Sequence, residues 1–134
     1  MKLLLDTNVI IMLLVKDPRI TPELVRFIED ADEVHYSAAV IWEIAIKHST
    51  GKLSLSPHDV VKALDTGFMS PLDITPSHAL LTSSLGNVHR DPFDRIQIAQ
   101  AILGQMTLLT SDNLLPRYDS TGNVVRHIYS IASK

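Results

Sequence analysis

Asp6 directly follows the apolar run Leu3-Leu4-Leu5, and Asp112 repeats the arrangement after Leu108-Leu109-Thr110-Ser111. Glu43 is the only charge in Ala38-Ala39-Val40-Ile41-Trp42-Glu43-Ile44-Ala45-Ile46, while Asp91 and Asp94 lie three positions apart in Asp91-Pro92-Phe93-Asp94. Gathered in one place, such carboxylates would repel one another strongly. Oxygen-rich sites of that kind are stabilised by hard divalent cations, Mg²⁺ or Mn²⁺, which take carboxylates and water as ligands. The chemistry this supports is hydrolysis, because a bound divalent ion lowers the pKa of its water and offsets charge on a phosphate. Each acid also has a local explanation. Asp6, Asp91 and Asp112 suit helix N-caps, Asp94 suits the positive end of a helix dipole, and Glu43 can pair with Lys47 one turn on. Glu43 is the least well explained locally, since a carboxylate in so apolar a helix needs a metal or a basic partner.

The functional case therefore rests on where the elements bring these residues. The chain alternates short apolar strands with longer amphipathic helices, the pattern of an α/β domain with a mostly parallel sheet. Lys2 to Leu5, Glu33 to Ser37 and Met106 to Thr110 read as strands, with Pro71 to Ile74 and Val124 to Tyr129 as weaker ones; Pro71 demotes its strand toward an edge. Thr21-Pro22, Ser56-Pro57, Thr75-Pro76 and Asp91-Pro92 each set a capping oxygen before a proline at the first helical position. Ser37 caps a further helix from about Ala38 to His48 that stops near Gly51, and Gly104 ends the helix begun by Pro92. Asp119 to Asn123 is a polar turn cluster. In a parallel sheet all strand carboxyl ends share one edge, where open α/β folds bind ligands. Asp6 and Asp112 sit at strand ends and Glu43 and Asp94 near helix starts, so all four can reach that edge.

A chain of 134 residues is the size of one domain, and its 46% apolar and 20% charged residues are those of a folded protein rather than a disordered one. The lack of cysteine removes disulfides and thiolate zinc sites and fits a reducing cytoplasm. His35, His48, His58, His78 and His127 form no zinc-site spacing. No apolar run is long enough to span a membrane, and the run from Leu3 to Val15, broken by Asp6, Thr7 and Asn8, reads as core rather than as a signal peptide. A net charge of −3 lacks the basic excess usual for nucleic-acid binding. With the four site acids set aside, however, the remaining charge nearly balances, so the acidic field is concentrated where cations can offset it. Asn8, two positions after Asp6, is not the second aspartate of a haloacid-dehalogenase-like phosphatase, and the acid pair and late lysine of a receiver domain are missing.

Taken in order, Leu5-Asp6-Thr7-Asn8, Trp42-Glu43-Ile44-Ala45, Asp91-Pro92-Phe93-Asp94-Arg95 with Ile98-Ala99-Gln100-Ala101, and Leu109-Thr110-Ser111-Asp112 resemble the PIN-domain ribonucleases, and among them the short VapC-like toxins of VapBC toxin–antitoxin pairs. The resemblance implies a single PIN-like (Rossmann-like) domain over residues 1–134, a parallel sheet sandwiched by helices. It carries the family's acidic quartet onto Asp6, Glu43, Asp94 and Asp112, with Asp91 as the alternative third acid. Thr7 or Asn8 and Thr110 or Ser111 match small polar neighbours that orient ligands or water.

The expected activity is Mg²⁺- or Mn²⁺-dependent endonucleolytic cleavage of RNA, with Glu43 or Asp94 orienting or deprotonating the water. Arg90, Arg95, Lys47 and Lys52 are candidate phosphate contacts, and His89 has no clear part. The resemblance further implies an antitoxin (VapB-like) that covers the site, often with a basic side chain among the carboxylates, and a homodimer through exposed apolar helix faces; the segments Ile10 to Val15 and Pro57 to Phe68 are possible surfaces. An RNA-processing nuclease that is not a toxin, or a catalytically silent RNA- or protein-binding module, are the competing readings.

Overall fold

The computed structural model describes residues 1–86, 91–118 and 124–132. Leu3, Leu4 and Leu5 in strand β1 (Lys2–Leu5) are fully buried. Because side chains alternate across a strand, Leu3 and Leu5 enter one apolar cluster and Leu4 the other. Leu109 and Leu108 divide in the same way in β4 (Thr107–Thr110). This is why both strands read as continuous apolar runs: each is covered on both faces.

Five strands pair in the order β3-β2-β1-β4-β5, every pair parallel, with β2 at Glu33–Ser37, β3 at Ser70–Leu72 and β5 at Val125–His127. The first crossovers carry α1 (Thr7–Leu14) and α2 (Pro22–Glu29), then α3 (Ala38–Ser49) and α4 (Pro57–Asp65). Their apolar residues, Val9, Ile10, Leu24, Ile28, Val40, Ile44, Val60 and Leu64, form the larger cluster with Leu3 and Leu5. After β3 the chain returns through α5 (Pro76–Leu81) and α6 (Pro92–Gly104) to the other side of β1. There Ile98 and Ala101 pack on Leu4 and Leu108. Winding reverses at β1, so the carboxyl ends of β1 and β4 flank a switch point of the kind that holds ligands in open sheets. Among the described residues no helix is long and apolar enough to cross a membrane.

The expected helix starts are all present. Thr21, Ser56, Thr75 and Asp91 accept main-chain N–H groups two or three residues on, each with proline at the first turn, and Ser37 accepts the Ala39 N–H. Proline in β3 is tolerated because that strand lies at the sheet edge. The strand from Val124 to Tyr129 is shorter than its sequence pattern: pairing ends at His127, and Tyr129 begins a last helical turn, α7 (Tyr129–Ala132). Ile10, Met12, Val60 and Leu64 belong to the core, while Val15 and Phe68 at the ends of their segments are exposed. The polar cluster Asp119 to Asn123 lies outside the described residues.

Gly104 does a different job from the expected one. It is the last residue of α6, and the left-handed residue that closes the helix is Gln105, with φ 54°. The Met106 N–H then bonds back to the Ala101 carbonyl. A Cβ on Gly104 would stand 2.8 Å from the Met106 terminal methyl, so the glycine makes room for Met106 to fold into the second cluster. A left-handed glutamine is strained where glycine is not. Gln105→Gly is therefore expected to raise stability by up to about 1 kcal/mol, read as a higher thermal midpoint with an unchanged circular dichroism spectrum; an unchanged or lower midpoint would argue against strain there.

Candidate active site

Asp6 ends β1 and caps α1, and it is 3% exposed. Its Oδ1 accepts the Asn8 N–H at 2.7 Å and its Oδ2 accepts the Thr110 hydroxyl. Burial pushes its pKa up, and the donors from Thr110, Asn8 and Val9 oppose that shift. From the next position, the buried Thr7 hydroxyl donates to Glu43 Oε1 at 2.6 Å. Glu43 lies in the second turn of α3, and Lys47, one turn further along, donates to its other oxygen, Oε2, at 2.8 Å. The i+4 pair is thus present, and it is also the basic partner that a buried carboxylate requires. The bond to Glu43 in turn holds the Lys47 pKa above the usual range, with Asp91 and Asp94 adding to it.

Asp91 and Asp94 both line the cleft but are held differently. Asp91 caps α6, its Oδ1 accepting from the Phe93 N–H at 2.8 Å and the Asp94 N–H at 3.3 Å. Asp94, one turn in, has its pKa pushed up to about 8, first by burial and then by the charges of Asp91, Asp6, Glu43 and Asp112. A carboxyl that senses all four others stands among them. Asp112 follows β4; its N–H donates to Thr110 Oγ1 at 3.0 Å and its Oδ1 accepts the Leu114 N–H at 2.8 Å.

Asp6, Thr7, Asn8, Glu43, Lys47, Asp91, Asp94 and Asp112 line one polar cleft of 140 Å³. The other expected contacts are placed elsewhere. Arg95 donates to the carbonyls of Gly86 and Thr82 and borders an apolar groove with Trp42, whose ring meets Phe93 edge-on at 5.1 Å. Ser111 contributes its carbonyl to His127 Nε2 at 3.0 Å, a contact invisible in sequence because it depends on β4 pairing with β5. Lys52 is exposed beyond the end of α3, and His89 and Arg90 lie outside the described residues. A larger cavity of 670 Å³ lies around the amino-terminal end of β2, but there Asp32 pairs with the terminal amine and Glu33 with Lys2 and His35, all near the surface. Size does not select the site; convergence of five acids, two of them buried, does.

The oxygen-only donor set fits a hard divalent cation, and the pKa of Asp94, raised first by burial and then by four neighbouring carboxylates, marks negative charge that such a cation would offset. As the side chains stand, no three acids among the described residues are drawn together tightly enough to hold an ion. Glu43 is turned to Thr7 and Lys47, and Asp6 to Thr110.

The PIN domain family model matches residues 3–120. The chain belongs to the PIN domain family. PIN domains are nucleases, so membership supports a hydrolase acting on nucleic acids. A search of curated proteins gives no match. Among solved structures, the PIN fold of this chain is similar to VapBC2 from Rickettsia felis bound to a DNA fragment from their promoter, with a TM-score of 0.73, 15% identity, and 95% of this chain and 98% of that chain covered. VapBC-1 from nontypeable Haemophilus influenzae gives a TM-score of 0.70 at 19% identity over 96% and 99% of the two chains. FitAcB from Neisseria gonorrhoeae gives 0.62 at 16% over 95% and 98%. At such identities these likenesses show the shared fold.

The electrostatics of the PIN cleft give a pH dependence of stability. The folded pKa of Asp94, about 8, lies above its ordinary value of 3.8, so the folded state binds the extra proton between these values and stability falls as pH rises through them. Asp17, Asp32 and Glu33, whose pKa values are lowered, have delivered their stabilisation by about pH 5 and do not oppose this trend. In chelator, the thermal midpoint is expected to be higher at pH 5 than at pH 8, with the difference reduced in Asp94→Asn. Equal pH slopes in the two proteins would remove Asp94 from this role.

Proposed function

We propose that this PIN domain is a Mg²⁺- or Mn²⁺-dependent endoribonuclease, the toxin of a type II toxin–antitoxin pair, acting in the cytoplasm as one unit over residues 1–134. The observation that carries the reading is the convergence of Asp6, Glu43, Asp91, Asp94 and Asp112 on one cleft at the switch point of the sheet. A divalent cation bound there supplies an activated water and Lewis-acid stabilisation of the phosphate. Asp6, Asp94 and Asp112 would hold it, with Asp91 at the mouth of α6 available beside them. Glu43, fixed at both oxygens by Thr7 and Lys47, is suited to orient the attacking water. Lys47, with 41% of its side chain exposed, and the exposed Asn8 are the cleft groups best able to meet a phosphate.

The toxin reading is supported by fold neighbours that are toxin–antitoxin complexes over nearly their full length. An antitoxin presenting a basic side chain would complement the acidic cleft. For a homodimer the exposed apolar side chains favour the face around Trp42, 59% exposed, and Leu80, 75% exposed, which borders the groove between α3, α5 and α6.

Purified protein is expected to cut single-stranded RNA with Mg²⁺ or Mn²⁺ and to stop in excess chelator, while Asp6→Asn reduces cleavage to background with the fold intact. Undiminished cutting by that variant, or by the wild type in chelator, would overturn the mechanism, and a preference for DNA would overturn the substrate. Leu80→Glu is expected to shift the molar mass by light scattering from dimer to monomer; a monomeric wild type or an unaffected dimer would count against the face assigned.

A further inference from the structure

Thr110 is fully buried, and both functions of its hydroxyl are used inside the protein. The hydroxyl donates to Asp6 Oδ2 and accepts the Asp112 N–H at 3.0 Å. A hydroxyl has one hydrogen to give, and here it goes to Asp6. The same pair of strand ends is tied a second time, through the main chain, where the Asp6 N–H donates to the Leu109 carbonyl at 3.1 Å. The other Asp6 oxygen is fixed independently by the Asn8 N–H. One oxygen atom of Thr110 therefore links the Asp6 carboxylate to the main chain of Asp112, 106 positions away in sequence, just beyond the paired ends of β1 and β4.

We propose that Thr110 is a positioning residue, not a phosphate contact: it fixes the orientation of the Asp6 carboxylate and its spacing from Asp112, and so preorganises the cleft for a divalent cation. This rests on the nuclease reading for its link to catalysis, while its link to cation binding can be tested separately. A neutral donor aimed at the Asp6 carboxylate and anchored on the Asp112 main chain fixes the first relative to the second without introducing a charge that would compete with the cation. Lys47 has the opposite design: it satisfies Glu43 with a full positive charge at the far wall of the cleft. Partners of this kind behind metal-binding carboxylates typically change affinity or activity 10- to 100-fold when removed.

The test compares wild type with Thr110→Ser, Thr110→Val and Thr110→Ala. Folding is followed by circular dichroism, Mn²⁺ affinity by titration calorimetry, and RNA cleavage as kcat and KM. Valine keeps the shape and loses the hydroxyl; serine keeps the hydroxyl; alanine serves if valine does not fold. The hydroxyl-free variants are expected to bind Mn²⁺ about 10- to 100-fold more weakly and to lose kcat with little change in the KM for RNA, and serine to restore both. A folded hydroxyl-free variant with wild-type Mn²⁺ affinity would overturn the proposal, as would a serine variant as impaired as valine, or a loss confined to KM. If the wild type binds Mn²⁺ but cuts no RNA, the nuclease reading fails, and the Mn²⁺ affinities still decide whether Thr110 positions Asp6 and Asp112.

Discussion

Like charges brought to one edge of a parallel sheet are the constraint on which the rest of this structure turns. The topology leaves no other place for them, because Asp6 and Asp112 follow parallel strands whose carboxyl ends coincide, and the helices bearing Glu43 and Asp94 start from the same side. Burial makes the repulsion stronger, since a low-dielectric wall screens poorly. The protein answers each carboxylate with a donor of its own: Thr110 and the Asn8 amide for Asp6, Thr7 and Lys47 for Glu43, the Phe93 amide for Asp91, the Leu114 amide for Asp112. Asp94 has its pKa pushed up to about 8, first by burial and then by the charges of the other four acids.

Several of these donors are the N–H groups that open helices. Asp6 and Asp91 accept orphan N–H groups at the starts of α1 and α6 and also face the cleft. A cap needs a short acidic or hydroxyl side chain at a helix start, and a parallel α/β fold places helix starts at the edge where ligands bind. The same two acids therefore cap a helix and line the cleft for a geometric reason.

The apolar groove beside the acidic cleft follows from the same two helices. Trp42 and Glu43 are successive on α3 and so point about 100° apart, and Pro92 and Asp94, two positions apart in the first turn of α6, point about 200° apart. One member of each pair lines the polar cleft and the other the apolar groove. Chemistry and the face proposed for association thus share their framework, so a partner seated on the groove would press on the helices that carry Glu43 and Asp94.

The strands, helix starts and family were legible in the sequence because their signals are local: apolar runs at Leu3 to Leu5 and Leu108 to Leu109, a capping oxygen before proline at four helix starts, and short acidic motifs in a characteristic order. The candidacy of Asp6, Glu43, Asp94 and Asp112 was legible too. The sequence suggested Asp91 as the cap and Asp94 as the quartet acid; that both acids line the cleft with Asp6 and Asp112 depends on how α6 packs beside the sheet. The pairing of β1 with β4 also decided that Thr110 serves Asp6, while the turn of α6 decided that Arg95 reaches the carbonyls of Thr82 and Gly86. Spacing along the chain fixes which residues share a helix face or a strand end. Which of two polar neighbours meets a carboxylate from another strand depends on direction and on a distance of an ångström or two, and those are set only when the sheet closes.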